Sequence, residues 1–91
     1  LRDVSRRSTS HPIFGRTAAL PLVIAPTGFA GFFWPAGDLM LASAAAAFGV
    51  PRGQSTVSNA RARDVAATPG LRHWYQLYAW GGHDVQHALI E

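Results

Sequence analysis

Leu20-Pro-Leu-Val-Ile-Ala-Pro-Thr-Gly28 is the stretch on which the fold turns. From Leu20 to Ala25 it is a short apolar run, and Pro26-Thr27-Gly28 closes it. A run of this length bounded by turn residues suits a strand buried on both faces, the arrangement of a parallel sheet. Upstream, residues 1–19 are a polar lead-in in which Phe14-Gly15-Arg16 predicts a turn.

Downstream, a loop rich in glycine and aromatics (Phe29 to Gly37) leads into a helix predicted from Asp38 to Phe48. Asp38 favours the exposed amides and the positive end of the helix dipole. Ala42 and Ala44 to Ala47 are strong helix formers, and Gly49 stands where a C-terminal cap belongs. A second strand is expected over Val50 to Thr56 on a weak signal, because Pro51 removes an amide donor and Arg52-Gly53-Gln54 breaks the apolar run. Asn59 offers a cap for a helix over Ala60 to Ala67, ended by Thr68-Pro69-Gly70. His73-Trp-Tyr-Gln-Leu-Tyr78 predicts a third strand, and a third helix is expected over Asp84 to Glu91, after Gly81-Gly82. Strand–helix units repeated in this way mean a parallel sheet with right-handed crossovers. An open doubly wound sheet and part of an eightfold barrel both fit, and periodicity does not choose between them. No G-x-G-x-x-G fingerprint follows the first strand, which counts against dinucleotide binding.

The 91 residues are enough for one small domain. Charged residues are only 14%, against about 25% in a typical globular protein, which suggests faces meant to be covered. Without cysteine there is neither a disulfide framework nor a thiolate metal site. All the basic residues behind the net charge of +3 are arginines, scattered rather than gathered on one face, and nucleic acid is not expected as a partner. The polar first residues are not followed by an apolar stretch of signal-peptide type. A rival reading makes residues 20–50 a small membrane protein. Pro21, Pro26, Gly28, Gly31, Pro35, Gly37 and Asp38 interrupt that region before it reaches the ~20 apolar residues a spanning helix needs. A second rival is a small non-catalytic α/β module for binding or self-association.

Three polar clusters fall at the C-terminal ends of the predicted strands: Pro26-Thr27-Gly28, Ser55-Thr56 and Gln76-Leu77-Tyr78. In parallel α/β proteins ligands bind at this rim. Alternation along the third strand would turn Gln76 and Tyr78 one way, and Tyr75 and Leu77 towards the covering helices. Taken singly, each cluster reads equally as packing, a cap or a common turn. His83 and His87 are spaced to share a helix face, but no third ligand is near, so no metal site is expected.

Leu20 to Gly28, followed by Trp34-Pro-Ala-Gly-Asp38 and the alanine-rich helix, resembles the FMN-dependent 2-hydroxy-acid dehydrogenases and oxidases. That family includes flavin lactate dehydrogenase, mandelate dehydrogenase and glycolate oxidase. Val4-Ser-Arg-Arg-Ser-Thr-Ser10, Ser55-Thr-Val-Ser-Asn59 and Trp74-Tyr-Gln-Leu-Tyr78 match in the same order. The resemblance implies a (β/α)8 TIM barrel with FMN across its C-terminal mouth, of which residues 20–91 would be the first three βα units. It implies that Pro26, Thr27 and Gly28 lie against the flavin ring, that Ser55 and Gln76 bond the flavin, and that Tyr78 meets the substrate. The implied activity is oxidation of a small (S)-2-hydroxy acid, lactate- or mandelate-like, to the 2-oxo acid, with the electron acceptor left open. A cytoplasmic parent enzyme, at the inner face of the membrane and self-associating, would be in keeping. The family's histidine base, substrate arginine, flavin-contacting lysine and phosphate loops match nothing in this chain, so no catalytic residue is assigned and the 91 residues alone are expected to be inactive. Three stretches depart from the pattern: Pro51-Arg-Gly-Gln54 where the family is more apolar, Ala60-Arg-Ala-Arg63, and Gly81-Gly-His83.

Overall fold

Beyond the turn foreseen at Phe14, the polar lead-in folds into a hairpin. In the computed structural model, which describes residues 3–90, β1 (His11–Ile13) pairs antiparallel with β2 (Arg16–Ala18). Phe14 (φ 44°) and Gly15 (φ 72°) form the two-residue connection. Positive φ at both central positions is the turn whose twist matches the flanking strands. Arg72 fastens the hairpin to the rest of the molecule: its guanidinium donates to the carbonyls of Arg16 (3.0 Å) and Ile13, and lies 5.7 Å over the Trp74 ring. Phe14 meets the same indole edge-on at 5.1 Å.

The parallel sheet consists of β3 (Pro51–Ser55) and β4 (Arg72–Gln76), in register from Pro51↔Arg72 to Ser55↔Gln76. The strand expected over Leu20–Ala25 contracts to a single parallel bridge, Ile24↔Arg52. Its two bonds run from Ile24 N to Pro51 O and from Gly53 N to Ile24 O, both 2.9 Å. Parallel register would next require donation by Pro51 N on one side and Pro26 N on the other. Neither has a hydrogen to give. β4 likewise ends at Gln76, short of Tyr78, so the expected alternation does not carry Tyr78 to the face of Gln76.

Helices connect these strands. After the four-residue α1 (Ala30–Phe33) comes α2 (Gly37–Ala47), which ends as its sequence predicts. Gly49 takes φ 63°, its amide reaches Ala46 O, and Val50 N reaches Ala45 O, the paired bonds of a glycine-terminated helix. A Cβ on Gly37 would stand 2.6 Å from Ala30 O, so α1 and α2 need glycine there. The next helix, α3 (Ala62–Ala66), is shorter than expected, because Asn59 is engaged elsewhere and Arg61 occupies the cap position. Last is α4 (His83–Ile90); Glu91, the expected end of this helix, lies outside the described residues.

One of the residues that broke the strand pattern is answered from the neighbouring helix. Arg52, 1% exposed, donates at 2.5 Å to Asp38, 2% exposed, at the start of α2. A buried charge persists only when it is paired, and the pair joins β3 to α2. The remaining interior is slight: Ala18, Ala30, Ala42, Ala45, Val50 and Val65. The radius of gyration is 16.2 Å, where a self-contained domain of this length has about 12 Å. An apolar groove of about 490 Å³, lined by Phe33, Trp34, Met40 and Leu41 among others, runs along α2. Residues 20–50 form short pieces, and no helix among the described residues is long and apolar enough to cross a membrane. Among the described residues the architecture is a small parallel α/β unit with an antiparallel hairpin docked through Arg72.

Candidate functional site

The three polar clusters converge. From the middle one, Thr56 donates through Oγ1 to Gln76 O and accepts at the same oxygen from Tyr78 N at 3.0 Å. Ser55 Oγ reaches Gln76 Oε1 at 3.3 Å, as side chains on one sheet face at paired positions should. On the other side, Phe29 N donates to Val57 O at 3.0 Å and Gly31 N to Asn59 Oδ1 at 3.0 Å. Asn59, expected as a helix cap, thus tethers the neighbouring rim loop instead. Prolines, glycines and hydroxyls that read as separate turns in the sequence form one continuous rim.

Gly28 is required by its neighbour. A Cβ built there would lie 2.6 Å from Val57 Cγ2, well inside van der Waals contact. Gly53 serves in the same way beneath Pro26, whose Cδ would stand 3.0 Å from an added Cβ. The rim loops are therefore packed against each other at positions without side chains, and the backbone of Pro26 to Gly28 stays uncovered. Among the described residues the amides of Thr27 and Gly28 have no hydrogen-bond acceptor, and neither has Gln76 Nε2. Gly28 lies next to the Ser55 hydroxyl, which an added Cβ would approach to 3.8 Å, and the same hydroxyl donates to the Gln76 side chain. The set fits a planar heteroaromatic ring with carbonyl and ring-nitrogen acceptors along one edge, as a flavin presents.

Tyr78 stands apart. It is 42% exposed, stacks on Trp80 with centroids 5.3 Å apart, and lines a cavity of about 360 Å³ with Thr56, Ala62, Tyr75, Leu77 and Trp80. The phenol is not the buried partner of Gln76 that strand alternation suggested.

No histidine joins this group. His11 is on the hairpin, and His83 and His87 pair with each other on α4 with ring centroids 4.7 Å apart. His73 faces the opposite side of the sheet, where its Nε2 lies 3.0 Å from Gln54 Oε1. Burial, and then the Arg52 charge, push its pKa below the ordinary 6.5. Among the described residues no three metal-ligating side chains cluster. The sequence reasoning overlooked Val57, Asn59 and Gln54. Gln54 left a signal as a polar residue inside a strand, and Asn59 left one that pointed to a helix cap rather than to the rim.

Comparison with known proteins bears on the family and the fold. The sequence model of FMN-dependent dehydrogenases matches residues 1–91. (S)-Mandelate dehydrogenase of Pseudomonas putida is 46% identical over 78 residues, which cover 86% of this chain and 20% of that protein. Human 2-hydroxyacid oxidase 2 is 40% identical over 93 residues, covering all of this chain and 26% of that one. A crystal structure of mandelate oxidase with benzoyl-formic acid superposes with a TM-score of 0.89 at 39% identity, covering 99% of this chain and 27% of the other. A soluble mutant of the membrane-associated Pseudomonas putida (S)-mandelate dehydrogenase gives 0.85 at 40% identity, covering 97% and 25%. The chain thus spans only about a fifth to a quarter of the length of these relatives. With its motifs in order, its rim assembled and its backbone superposed on these enzymes, the chain belongs to the FMN-dependent dehydrogenase family and forms part of its α/β barrel.

Proposed function

We propose that the protein carrying these residues oxidises an (S)-2-hydroxy acid, lactate- or mandelate-like, to the 2-oxo acid, and that this chain supplies the rim that receives FMN. The observation that carries the reading is the joining of three strand ends with unpaired donors all on one rim. The amides of Thr27 and Gly28 donate to the ring, Pro26 shapes their approach, Ser55 offers its hydroxyl, and Gln76 presents its amide nitrogen to the pyrimidine edge. Tyr78, carried by the loop past β4, holds the substrate's carboxylate or hydroxyl. When bound, FMN takes up the two electrons that leave the α-carbon of the acid. Fixed by the strand ends and by each other, these donors would need little reorganisation to stabilise negative charge on a bound ring. None of His11, His73, His83 and His87 serves as the base. His73 is on the far face of the sheet, and the others are exposed on outlying elements. The base, and the groups that hold the FMN phosphate, belong to the rest of the barrel. The protein works in the cytoplasm, at the inner face of the membrane, as a homo-oligomer.

The test is to purify the full-length product of the gene encoding these residues and mix it anaerobically with (S)-mandelate or L-lactate. Bound FMN whose visible absorption bleaches with one of the two acids is expected. A colourless product that takes up no added FMN contradicts the proposal.

A further inference from the structure

Behind the rim, on the helix side of the sheet, is a polar cluster that cofactor binding does not use. Register places Arg52, Gln54, His73 and Tyr75 on this face, with Gly53, Ser55, Trp74 and Gln76 on the other. Gln54 is fully buried, at 0% exposure, and every polar atom of its side chain is engaged. Its Nε2 donates to Ser58 Oγ at 3.0 Å and to Ala60 O at 2.8 Å, and its Oε1 meets His73 Nε2 at 3.0 Å. With both amide hydrogens given to the loop, only the oxygen can face the imidazole. His73 must then carry its proton on Nε2.

The loop grasped in this way is the one that ties the rim together. Between Ser55 and Ala60 lie Thr56, which bonds the β4 end, and Val57 and Asn59, which bond Phe29 and Gly31. These bonds link the loop to other loops. Thr56 also ties the loop to Gln76 at the end of β4, and Ser55 of β3 accepts from Val57 N and Ser58 N. The Gln54 amide adds the tie from within the strand to the loop's far end at Ala60, and His73 aims it. We infer that Gln54 and His73 are positioning residues for the cofactor-facing rim, fixing from behind the loop that sets Ser55 between its two neighbours. This rests on the FMN reading above for its consequence, though not for its geometry. Leucine at position 54 would fill a similar volume while taking from the half-buried Ser58 Oγ, Ala60 O and His73 N–H the partner that Gln54 gives them, an unfavourable exchange.

The test uses the full-length protein with Gln54→Leu, His73→Leu and His73→Gln. Glutamine's Nε2 can replace the imidazole donor. Dissociation constants for FMN come from flavin fluorescence, and exchange rates of the Phe29, Gly31 and Tyr78 amides from hydrogen exchange on the apoprotein. Losing one hydrogen bond in His73→Leu predicts about tenfold weaker FMN binding and about tenfold faster exchange at those amides, and losing three in Gln54→Leu predicts at least as large an effect on both measures. His73→Gln stays within about twofold of the parent on both measures. Residual folding is checked by exchange within α2, which should not change. FMN affinity and loop exchange equal to the parent in Gln54→Leu overturn the inference. A parent that binds no FMN removes the cofactor reading alone, and amide exchange then decides whether Gln54 anchors the loop.

Discussion

Gly28→Ala tests most sharply why a residue of the rim is what it is. The added methyl would stand 2.6 Å from Val57 Cγ2, where carbons prefer about 3.5–4.0 Å, so one of the two must move by about 1 Å. Val57 has little room. Its carbonyl accepts from Phe29 N at 3.0 Å, and its amide donates to Ser55 Oγ at 3.3 Å. Overpacking of this kind costs about 1–3 kcal/mol. Val57→Ala removes the obstructing methyl at the expense of some apolar burial, about 1 kcal/mol for a half-buried side chain. In the double variant the two changes should offset each other, with a coupling of about 1–2 kcal/mol. Urea unfolding of full-length apoprotein for the four members of this cycle measures that coupling. If Gly28→Ala costs the same whether residue 57 is valine or alanine, the packing explanation is wrong. FMN affinity across the same cycle separates a second demand on Gly28, close approach of the ring, which Val57→Ala would not relieve.

Three further outcomes are expected. Arg52→Met leaves the Asp38 carboxylate buried without its partner and should cost about 3–5 kcal/mol in urea unfolding, while Arg52→Met combined with Asp38→Leu should recover most of it; equal losses in both would show that the pair is not what matters. Because the folded His73 binds its proton less readily than the unfolded one, its contribution is complete above the ordinary 6.5 and is lost as pH falls from there through the depressed folded value. Stability should therefore fall as pH is lowered through that window, and His73→Gln should reduce the fall; an unchanged pH dependence would remove His73 as the cause. The isolated 91 residues should associate in sedimentation experiments and fail to retain FMN, because Phe32, Phe33, Trp34 and Phe48 are exposed and the sheet edges are open. A monomer that binds FMN saturably would contradict the expectation.

What the sequence revealed and what it hid follow from range. α2 was legible because its alanines, its acidic start and Gly49 are local signals, and the glycine termination appears with the bonds that such a residue permits. The rim was legible through the resemblance and through the common rule for strand ends. The bonds that join it were not, since Asn59 could satisfy either its own helix or Gly31 and only tertiary packing decides between them. The hairpin of the lead-in escaped because three-residue strands carry no readable period, and its hold depends on Arg72, which is distant in sequence. Arg52 looked like a fault in β3 until Asp38 was seen opposite it. Leu20 to Ala25 is less of a strand than its apolar run predicts, because prolines at the two neighbouring ladder positions limit it to one bridge.

The most direct measurement is a crystal structure of the full-length protein with FMN. The isoalloxazine should lie along the rim, with Ser55 Oγ, Gln76 Nε2 and an amide of Thr27 or Gly28 within hydrogen-bonding distance, roughly 3.2 Å, of its ring atoms. A flavin held elsewhere, or one touching only a single strand end, would contradict the account.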